Sequence, residues 1–414
     1  MTKKLGVVLA AVFIAVSVAA APKRRSINPP PIDTTTPAGW LAANAYVFTA
    51  SESNGDVSDL AAIGPLIGDA TLVGLGDGTH GTHEYFVAKR RIIEYLVRNK
   101  DFDEVDFEGE YPAFRSIDAY INGAPGDAKQ LVISPTDAYY FFWEMQELVD
   151  LIEWMRDYNL HRPAGARAIH TGGFDVYGLV AMAPDVIAYL DRVDPAAATA
   201  ARTNYACLSK GFSAQCVTDA TGVKNDLAAH AQAYAAASSQ REYDDALHEA
   251  TMIAEGTVGQ RDQRMAANAL WLRDHHSATH KTILWAHQEH VGRLTQVLAR
   301  SMGSYLTEAA RASYFTFGNA TLDGTFLTNP NPSVPPAATA FLPLTSDGYE
   351  LNFRAAGAAR VIIPLRGALP KWLADPHHLR AGDAGDAYDR VENLPQKFDA
   401  VIYIEHTTPN HWVR

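Results

Sequence analysis

Histidines and carboxylates occur in short polar segments that directly follow apolar runs. The segment GDGTHG, residues 76–81, places Asp77 three residues before His80, and its glycines permit a tight turn between a strand and a helix. An ordinary histidine pKa of about 6.5 lets the ring accept a proton from water near neutral pH. We therefore predict His80 as a general base that Asp77 orients. The alternative is that Asp77 and Thr79 only cap the following helix while His80 packs.

Two further segments carry side chains of the same kind. Glu108 ends the apolar run EVDF, where an isolated carboxylate would be costly to bury, so we expect it to be paired or functional. His287 and His290 follow the run ILWA, and a spacing of three places both on one side of a helical turn. The predicted catalytic residues are therefore His80, Asp77, Glu108, His287 and His290. For His290, a structural role or an exposed position is the competing interpretation.

Three residues are predicted to bind the substrate. Lys89 lies early on the helix expected after His80, where it is either an anion anchor or solvent-exposed. Asp175, in GGFD, follows a strand as Glu108 does, and a structural hydrogen-bonding role fits it equally well. His83 belongs to the same polar segment as His80.

Patterns for other chemistries are missing from the sequence. There is no G-x-x-x-x-G-K-[ST] phosphate loop and no G-x-S-x-G serine elbow. A metal ion held by His80, Glu108 and His287 or His290 is an alternative, but the local pattern is not H-E-x-x-H. We therefore predict a site with no metal and no cofactor.

The apolar runs alternate with segments of helical spacing, which is typical of an α/β fold with a mostly parallel sheet flanked by helices. The carboxyl ends of parallel strands share one edge of the sheet, so the polar segments after them are expected to line one cleft. The predicted strands are Thr71–Leu75, Glu104–Phe107, Ala166–His170, Thr282–Ala286, Ser313–Phe317, Arg360–Pro364 and Ala400–Ile404.

Composition divides the chain into five parts. An apolar run after two lysines indicates a signal peptide at residues 1–21, and proline-rich residues 22–39 predict an extended tether. Alanine-rich residues 181–276 predict an inserted helical subdomain. It would separate the two parts of an α/β catalytic domain, residues 40–180 and 277–414.

The leader predicts a secreted or periplasmic protein, with an uncleaved membrane anchor as the alternative. The apolar run is shorter than the ~20 residues that usually span a membrane. In an oxidising compartment we expect Cys207 and Cys216 to form a disulfide rather than remain as two buried thiols.

The overall charge limits the possible partners. The chain has 414 residues, 47% hydrophobic and 20% charged, with a net charge of −12, which indicates a folded globular protein that does not bind nucleic acid. Loss of Lys3 and Lys4 with the leader would take the charge to −14, with no stable membrane insertion afterwards. This charge favours a cationic, amine-bearing small molecule as substrate.

Six segments together resemble one known family, and they occur in order from about Trp40 to the end. They are LVGLGDGTHGTHEYFVAKRRIIEYLV (72–97), VDFEGEYPAF (105–114), LIEWMRDYN (151–159), GGFDVYG (172–178), RDQRMAANALWL (261–272) and ILWAHQEHVGR (283–293). This combination resembles the erythromycin esterase family.

The resemblance implies a hydrolase that opens a macrolactone or another ester with an activated water and without a serine nucleophile, as in resistance to macrolide antibiotics. It implies His80 as the general base. The family's other motif positions fall on Asp77, Lys89, Glu108, Asp175, His287 and His290.

Two positions depart from the family pattern. Asp77 stands where the family usually has glutamate, and Gln288 and Glu289 replace an asparagine and a small residue between the paired histidines. Both changes fall in the predicted cleft, where they would affect the choice of substrate.

The sequence thus predicts an exported hydrolase of an ester or lactone. The alternatives are a metal-dependent hydrolase at the same cleft, a non-catalytic protein that binds a tetrapyrrole or another small ligand, and a secreted structural protein.

Overall fold

The structure is a computed structural model that describes residues 33–49, 52–53, 55–134, 138–256, 260–331, 334–383 and 385–414. The predicted signal peptide and most of the predicted tether lie outside these residues. The first helix begins at Pro37, where the Thr36 side chain accepts a hydrogen bond from the Gly39 N–H. The tether prediction is therefore wrong from Pro37 onward.

The described residues contain eleven strands. They are β1 (Tyr46–Val47), β2 (Leu72–Asp77), β3 (Glu104–Phe107), β4 (His170–Gly173), β5 (Thr282–His287), β6 (Tyr314–Thr328), β7 (Ala337–Ala340), β8 (Arg360–Pro364), β9 (His377–Gly382), β10 (Ala387–Glu392) and β11 (Ala400–Thr407).

The described residues also contain seventeen α-helices. They are α1 (Pro37–Asn44), α2 (Ile63–Ile67), α3 (His83–Lys100), α4 (Tyr111–Ile121), α5 (Ala128–Val132), α6 (Gln146–His161), α7 (Leu179–Val193), α8 (Pro195–Tyr205), α9 (Ala214–Ala229), α10 (Ala231–Ala237), α11 (Gln240–Glu255), α12 (Arg261–His275), α13 (Gln288–Val291), α14 (Met302–Ala310), α15 (Tyr349–Phe353), α16 (Lys371–Ala374) and α17 (Leu394–Lys397).

One nine-stranded sheet forms the centre of the fold. Its order is β1-β8-β11-β6-β2-β5-β3-β4, with β7 paired to β6. The six strands from β11 to β4 are parallel to their neighbours, whereas β8, β1 and β7 pair antiparallel. The predicted fold class, a mostly parallel sheet flanked by helices, is confirmed. Every residue of β2, β3 and β5 is buried, as expected for parallel strands with helices on both faces.

Most strand predictions agree with the structure to within a few residues, but one is displaced. The expected strand Ala166–His170 begins only at His170. The Ile169 N–H donates a hydrogen bond to the Asn159 side chain, so it is not available to a neighbouring strand. Strand β6 continues eleven residues beyond the predicted Phe317. Strands β1, β7, β9 and β10 have no counterpart in the sequence prediction.

Between β4 and β5 the described residues form helices α7 to α12 and contain no strand. Local capping starts several of these helices: the Asp194 carboxylate accepts hydrogen bonds from two backbone N–H groups, and Ser213 and Ser239 each accept one. The helices share one hydrophobic cluster with Leu72 and Leu284 of the sheet. They thus form a layer on the sheet; their division from it as a subdomain at 181–276 stays a prediction.

The predicted disulfide between Cys207 and Cys216 is present, with the two Cα atoms 5.4 Å apart. No helix in the described part of the chain is long and apolar enough to span a bilayer.

The strand order decides which polar segments meet. Strand β5 lies between β2 and β3, and the register sets Asp77 opposite His287 and Phe107 opposite both Trp285 and Gly173. The carboxyl ends of β2, β5, β3 and β4 are therefore adjacent, and the segments that follow them meet at one edge of the sheet.

Candidate active site

Asp77 at the end of β2 forms the base of the site. Its carboxylate is fully buried, is paired with the Lys89 ammonium and accepts a hydrogen bond from Trp285 Nε1 at 2.8 Å. Burial opposes its ionisation, but Lys89 and His80 hold the pKa of Asp77 below its usual value. Asp77 is therefore a carboxylate in a water-excluded environment.

His80 lies above this pair and is 2% exposed. Its ring stacks on Phe142 with the centroids 4.1 Å apart, and the His287 ring is 4.9 Å away. Nδ1 of His80 is 3.5 Å from Asp77 Oδ2, and among the described residues no hydrogen bond reaches this nitrogen. Asp77 thus faces the histidine, as the sequence predicts, at a distance longer than an ordinary hydrogen bond.

Glu108, one residue beyond β3, forms a second buried charge. Its Oε2 accepts the His287 backbone N–H at 2.8 Å, and its Oε1 accepts from Arg261 at 2.8 Å. His290 Nε2 is 3.3 Å from the same Oε1. Burial raises the pKa of Glu108, but His290 and Arg261 outweigh burial and hold it well below the ordinary value.

His287, the last residue of β5, and His290 in α13 have pKa values that are shifted in opposite directions. Burial and the neighbouring His80 ring lower the pKa of His287 to about 4. Its Nε2 donates to the Gly382 carbonyl, and its Nδ1 accepts the Glu289 N–H, so both nitrogens of the neutral ring are used. Burial also opposes a charge on His290, but Glu108 and Asp262, whose Oδ1 is 2.8 Å from Nδ1, raise its pKa to about 10.

Arg261 connects the two sides of the cleft. It binds Asp175 with Nε at 2.8 Å and Nη2 at 2.5 Å, and Nη2 also reaches Glu108. Asp175 is fully buried, so the structural alternative for this residue is the one the geometry favours. Arg261 retains 21% of its side-chain exposure, more than His290 at 7% or Lys89 at 0%.

Lys89 and His83, which the sequence predicts to bind substrate, contact other side chains of the protein instead. Lys89 has no exposed surface and its ammonium contacts Asp77, so it is neither solvent-exposed nor free to anchor an anion. His83 belongs to another group of side chains: its Nδ1 is 2.6 Å from Glu147 Oε1, and its ring lies edge-on to His411.

Arg261 and Asp262 were not among the predicted site residues. They begin α12, in the helical layer, so no strand end marks them. A signal exists in the sequence RDQR: an arginine in the first turn of a helix is opposed by the helix dipole and requires another reason to be there. Phe142 is also missed, because it lies in an aromatic 3-10 segment, Ala138–Trp143, that resembles core.

The glycines at 76, 78 and 81 also fit the G-x-G-x-x-G spacing of dinucleotide-binding loops. Protein atoms, and not open space, face the Cα atoms of Gly78 and Gly81. A Cβ on Gly81 would come within 2.2 Å of the Leu327 carbonyl, and one on Gly78 within 3.2 Å of both Asn319 and Tyr85. These glycines serve close packing of the chain against itself.

The proposed metal ligands of the cleft do not converge. Within the described ranges, one group of three His, Cys, Asp or Glu side chains has its ligand atoms within 4.8 Å of one another. It consists of His83, Glu147 and His411. His80, His287, His290 and Glu108 face one another through hydrogen bonds and ring contacts instead.

Comparison with known proteins gives the family. A family model described as erythromycin esterase matches residues 97–407, three quarters of the chain. The chain belongs to the erythromycin esterase family. The match begins after the loop that carries Asp77 and His80, so the placement of these two residues rests on the geometry above.

Individual relatives of the family are distant. A putative hydrolase of Bacillus subtilis, YbfO, is 24% identical over 90% of this chain and 91% of its own length. Erythromycin esterase type II of Escherichia coli is 20% identical over 69% of this chain and 77% of its own. A solved structure of a mutant of the erythromycin esterase EreC, in its open conformation, shares the fold with a TM-score of 0.67 and 18% identity, over 87% of this chain and 96% of that one.

The buried pair of Asp77 and Lys89 predicts a large stability effect. Asp77→Asn keeps the shape of the side chain but leaves a buried ammonium without a counterion, so the free energy of unfolding should fall by about 3–5 kcal/mol. Asp77→Asn combined with Lys89→Met should recover much of this loss. Urea denaturation of the three proteins measures it, with Asp157→Asn on the exposed face of α6 as the control. A loss below ~1 kcal/mol for Asp77→Asn would show that water reaches the pair.

The different protonation states expected for His287 and His290 can be observed directly. At neutral pH, His287 should be neutral with its proton on Nε2 and should take up a second proton only near pH 4, because burial disfavours the cation. His290 should carry both protons until about pH 10. ¹⁵N-resolved NMR titration of the imidazole rings checks both, with the exposed His161 as reference. A neutral His290 at neutral pH would contradict the arrangement.

Proposed function

We propose that this member of the erythromycin esterase family hydrolyses a carboxylic ester or lactone with a water that His80 activates. The observation that carries the proposal is the pairing of a histidine, faced by a buried carboxylate, with two cations at the same sheet edge. A hydrolytic water needs a base on one side, and the carbonyl oxygen that becomes negative needs positive charge on the other.

His80 is the histidine whose nitrogens suit the task. With its Nδ1–H directed at Asp77, Nε2 is left to take a proton from water, and Asp77 stabilises the imidazolium that forms. His287 holds hydrogen bonds through both ring nitrogens, and His290 is already protonated. Neither of them is available as the base, so the role falls to His80.

Glu108 acts through its partners in this proposal. Its carboxylate oxygens bind the His287 N–H and Arg261, and its charge keeps His290 protonated. We assign it to positioning Arg261 and His290 and keeping them charged.

Arg261, with His290 beside it, is the group proposed to stabilise the oxyanion. Arg261 Nη2 and His290 Nε2 lie 2.8 and 3.3 Å from the same Glu108 Oε1, which places both cationic groups beside one carboxylate. Lys89 cannot take this role, because it is completely buried and neutralised by Asp77. Fixed charges in a low-dielectric site need little reorganisation when the negative charge develops.

A macrolactone is the first substrate to test, because two of the similar proteins are erythromycin esterases. A cationic amine on the substrate would suit the net charge of −12. We further propose export to the periplasm or the outside of the cell, supported by the leader sequence and by the disulfide, which is typical of oxidising compartments. An uncleaved leader would instead tether the same enzyme to a membrane.

Removal of His80 tests the proposal. The purified chain is incubated with a panel of macrolides and simple esters, and products heavier by one water are sought by mass spectrometry. His80→Ala should lower the rate by about 10²–10⁴-fold, the usual worth of a general base. His161→Ala, an exposed histidine on α6, should leave the rate unchanged.

Hydrolysis that survives His80→Ala in a folded protein would overturn the assignment of the base. If no substrate of the panel is hydrolysed, a protein that binds a small ligand without reaction becomes the favoured function. Dialysis against a chelator followed by the same assay separates a metal-dependent reaction from the one proposed.

Substitution of Arg261 is expected to change the pH dependence of kcat/KM. Arg261→Gln removes one of the cations that hold the pKa of Glu108 down, so this carboxyl should protonate at higher pH. His290 then loses its negative partner as pH falls, and the acidic limb of the kcat/KM profile should move to higher pH. Arg261→Lys keeps the charge and should shift the limb less. An unmoved limb in a folded Arg261→Gln protein would show that Glu108 does not govern activity.

A further inference from the structure

A group of side chains next to the candidate active site is not used by the proposed reaction. His83 begins α3, Glu147 lies in the first turn of α6, and His411 lies in the segment that follows β11. We call these residues the His83–Glu147–His411 cluster. Nδ1 of His83 and Nδ1 of His411 are 2.6 and 2.8 Å from Glu147 Oε1, and the ligand atoms of the three residues lie within 4.8 Å of one another.

We propose that the His83–Glu147–His411 cluster is a binding site for a divalent transition-metal ion, with zinc the best match. Two imidazole nitrogens and one carboxylate oxygen are a ligand set that zinc takes up in tetrahedral geometry, with water as the fourth ligand. Bonds of ~2.0–2.1 Å to zinc place neighbouring ligand atoms about 3.3 Å apart. The two histidine Nδ1 atoms lie 2.6 and 2.8 Å from Glu147 Oε1, so each would need to move away from this oxygen by less than an ångström.

The burial of the cluster suits such a site. Glu147 is 6% exposed and His83 16% exposed, so two ligands are held by the packing of their helices. His411 is 72% exposed and can adjust its ring to the ion, and its side of the site is open to a water ligand. The N–H of His411 also donates to both oxygens of Glu147, at 3.2 and 3.3 Å, which fixes its backbone beside the carboxylate.

The three ligands come from the segments that hold His80 in place. His83 follows His80 by three residues, and Glu147 follows its stacking partner Phe142 by five. The segment that carries His411 crosses the His80 loop, where the Asn410 N–H donates to the Gly81 carbonyl at 3.0 Å. It also pairs with residues of both neighbouring segments, Pro409 with Thr82 and Trp412 with Met145.

A bound ion would thus fasten the segment after β11 across the loop of the general base. The ion would touch neither substrate nor reacting atoms, so its role would be to stabilise this corner of the protein. Metal binding would appear as stability of this corner of the protein and would be separable from the hydrolytic reaction.

The test uses the full chain without a polyhistidine tag, freed of metal with a chelator. Zinc binding is followed by calorimetry, cobalt binding by the visible absorption of tetrahedral Co²⁺, and thermal unfolding is recorded with and without zinc. We expect one site, and His411→Ala should weaken zinc binding by at least ~100-fold, since even residues that only support a metal ligand are worth ~10–100-fold. His406→Ala, an exposed histidine at the end of β11, is the matched control and should bind as the wild type does.

Zinc should raise the unfolding temperature of the wild type and of His406→Ala, but not that of His411→Ala. Glu147→Gln keeps the shape of the carboxylate and serves as the second variant. No saturable binding to the wild type, or binding that both His411→Ala and Glu147→Gln retain in full, would overturn the proposal. In that event the cluster is a set of hydrogen bonds between two histidines and a carboxylate.

Discussion

The candidate site depends on keeping the Glu108 carboxylate ionised where water does not reach it. A carboxylate with no exposed surface loses its hydration, so it stays charged only if cations and hydrogen-bond donors replace that hydration. Arg261, His290 and the His287 N–H supply them. Each of these groups comes from an element other than β3, so the charge of one residue requires the strands and the helical layer to be assembled together.

The same requirement explains why the helical layer and the sheet belong to one site. Arg261 begins α12 and reaches across to Asp175 beyond β4 and to Glu108 beyond β3. Asp262, next to it, holds the other nitrogen of His290. The helices therefore contribute charges to the cleft in addition to covering the apolar face of the sheet.

Two groups of buried charged side chains lie at the sheet edge. Asp77 and Lys89 form one, which neutralises itself and leaves Asp77 facing His80. Glu108, Arg261 and His290 form the other, which keeps two cations together. In the proposed reaction, His80 beside Asp77 acts as the base, Arg261 and His290 supply positive charge beside Glu108, and His287 is the neutral ring next to His80.

Much of this arrangement follows from local features of the sequence. Alternating apolar runs and helical segments predict the parallel sheet, and the polar residues after β2, β3, β4 and β5 predict that the site lies at their carboxyl ends. The nine-residue spacing of the two cysteines in an export context predicts their disulfide. These features are local because a residue's burial and the end of a strand depend mostly on its near neighbours in the chain.

Tertiary structure alone decides what each charge faces. Lys89 sits on a helix whose sequence is compatible with an exposed lysine, and only the packing of α3 on the sheet turns it towards Asp77. Arg261 is 153 residues from Glu108 in sequence, and His83 meets His411 only because the segment after β11 crosses the His80 loop. Electrostatic partners are chosen by distance in space, and distances of a few ångströms between remote residues are set by strand order and helix packing. The sequence by itself therefore determined the fold class and the sheet edge of the candidate site, and the folded chain determined which charged groups lie in contact there.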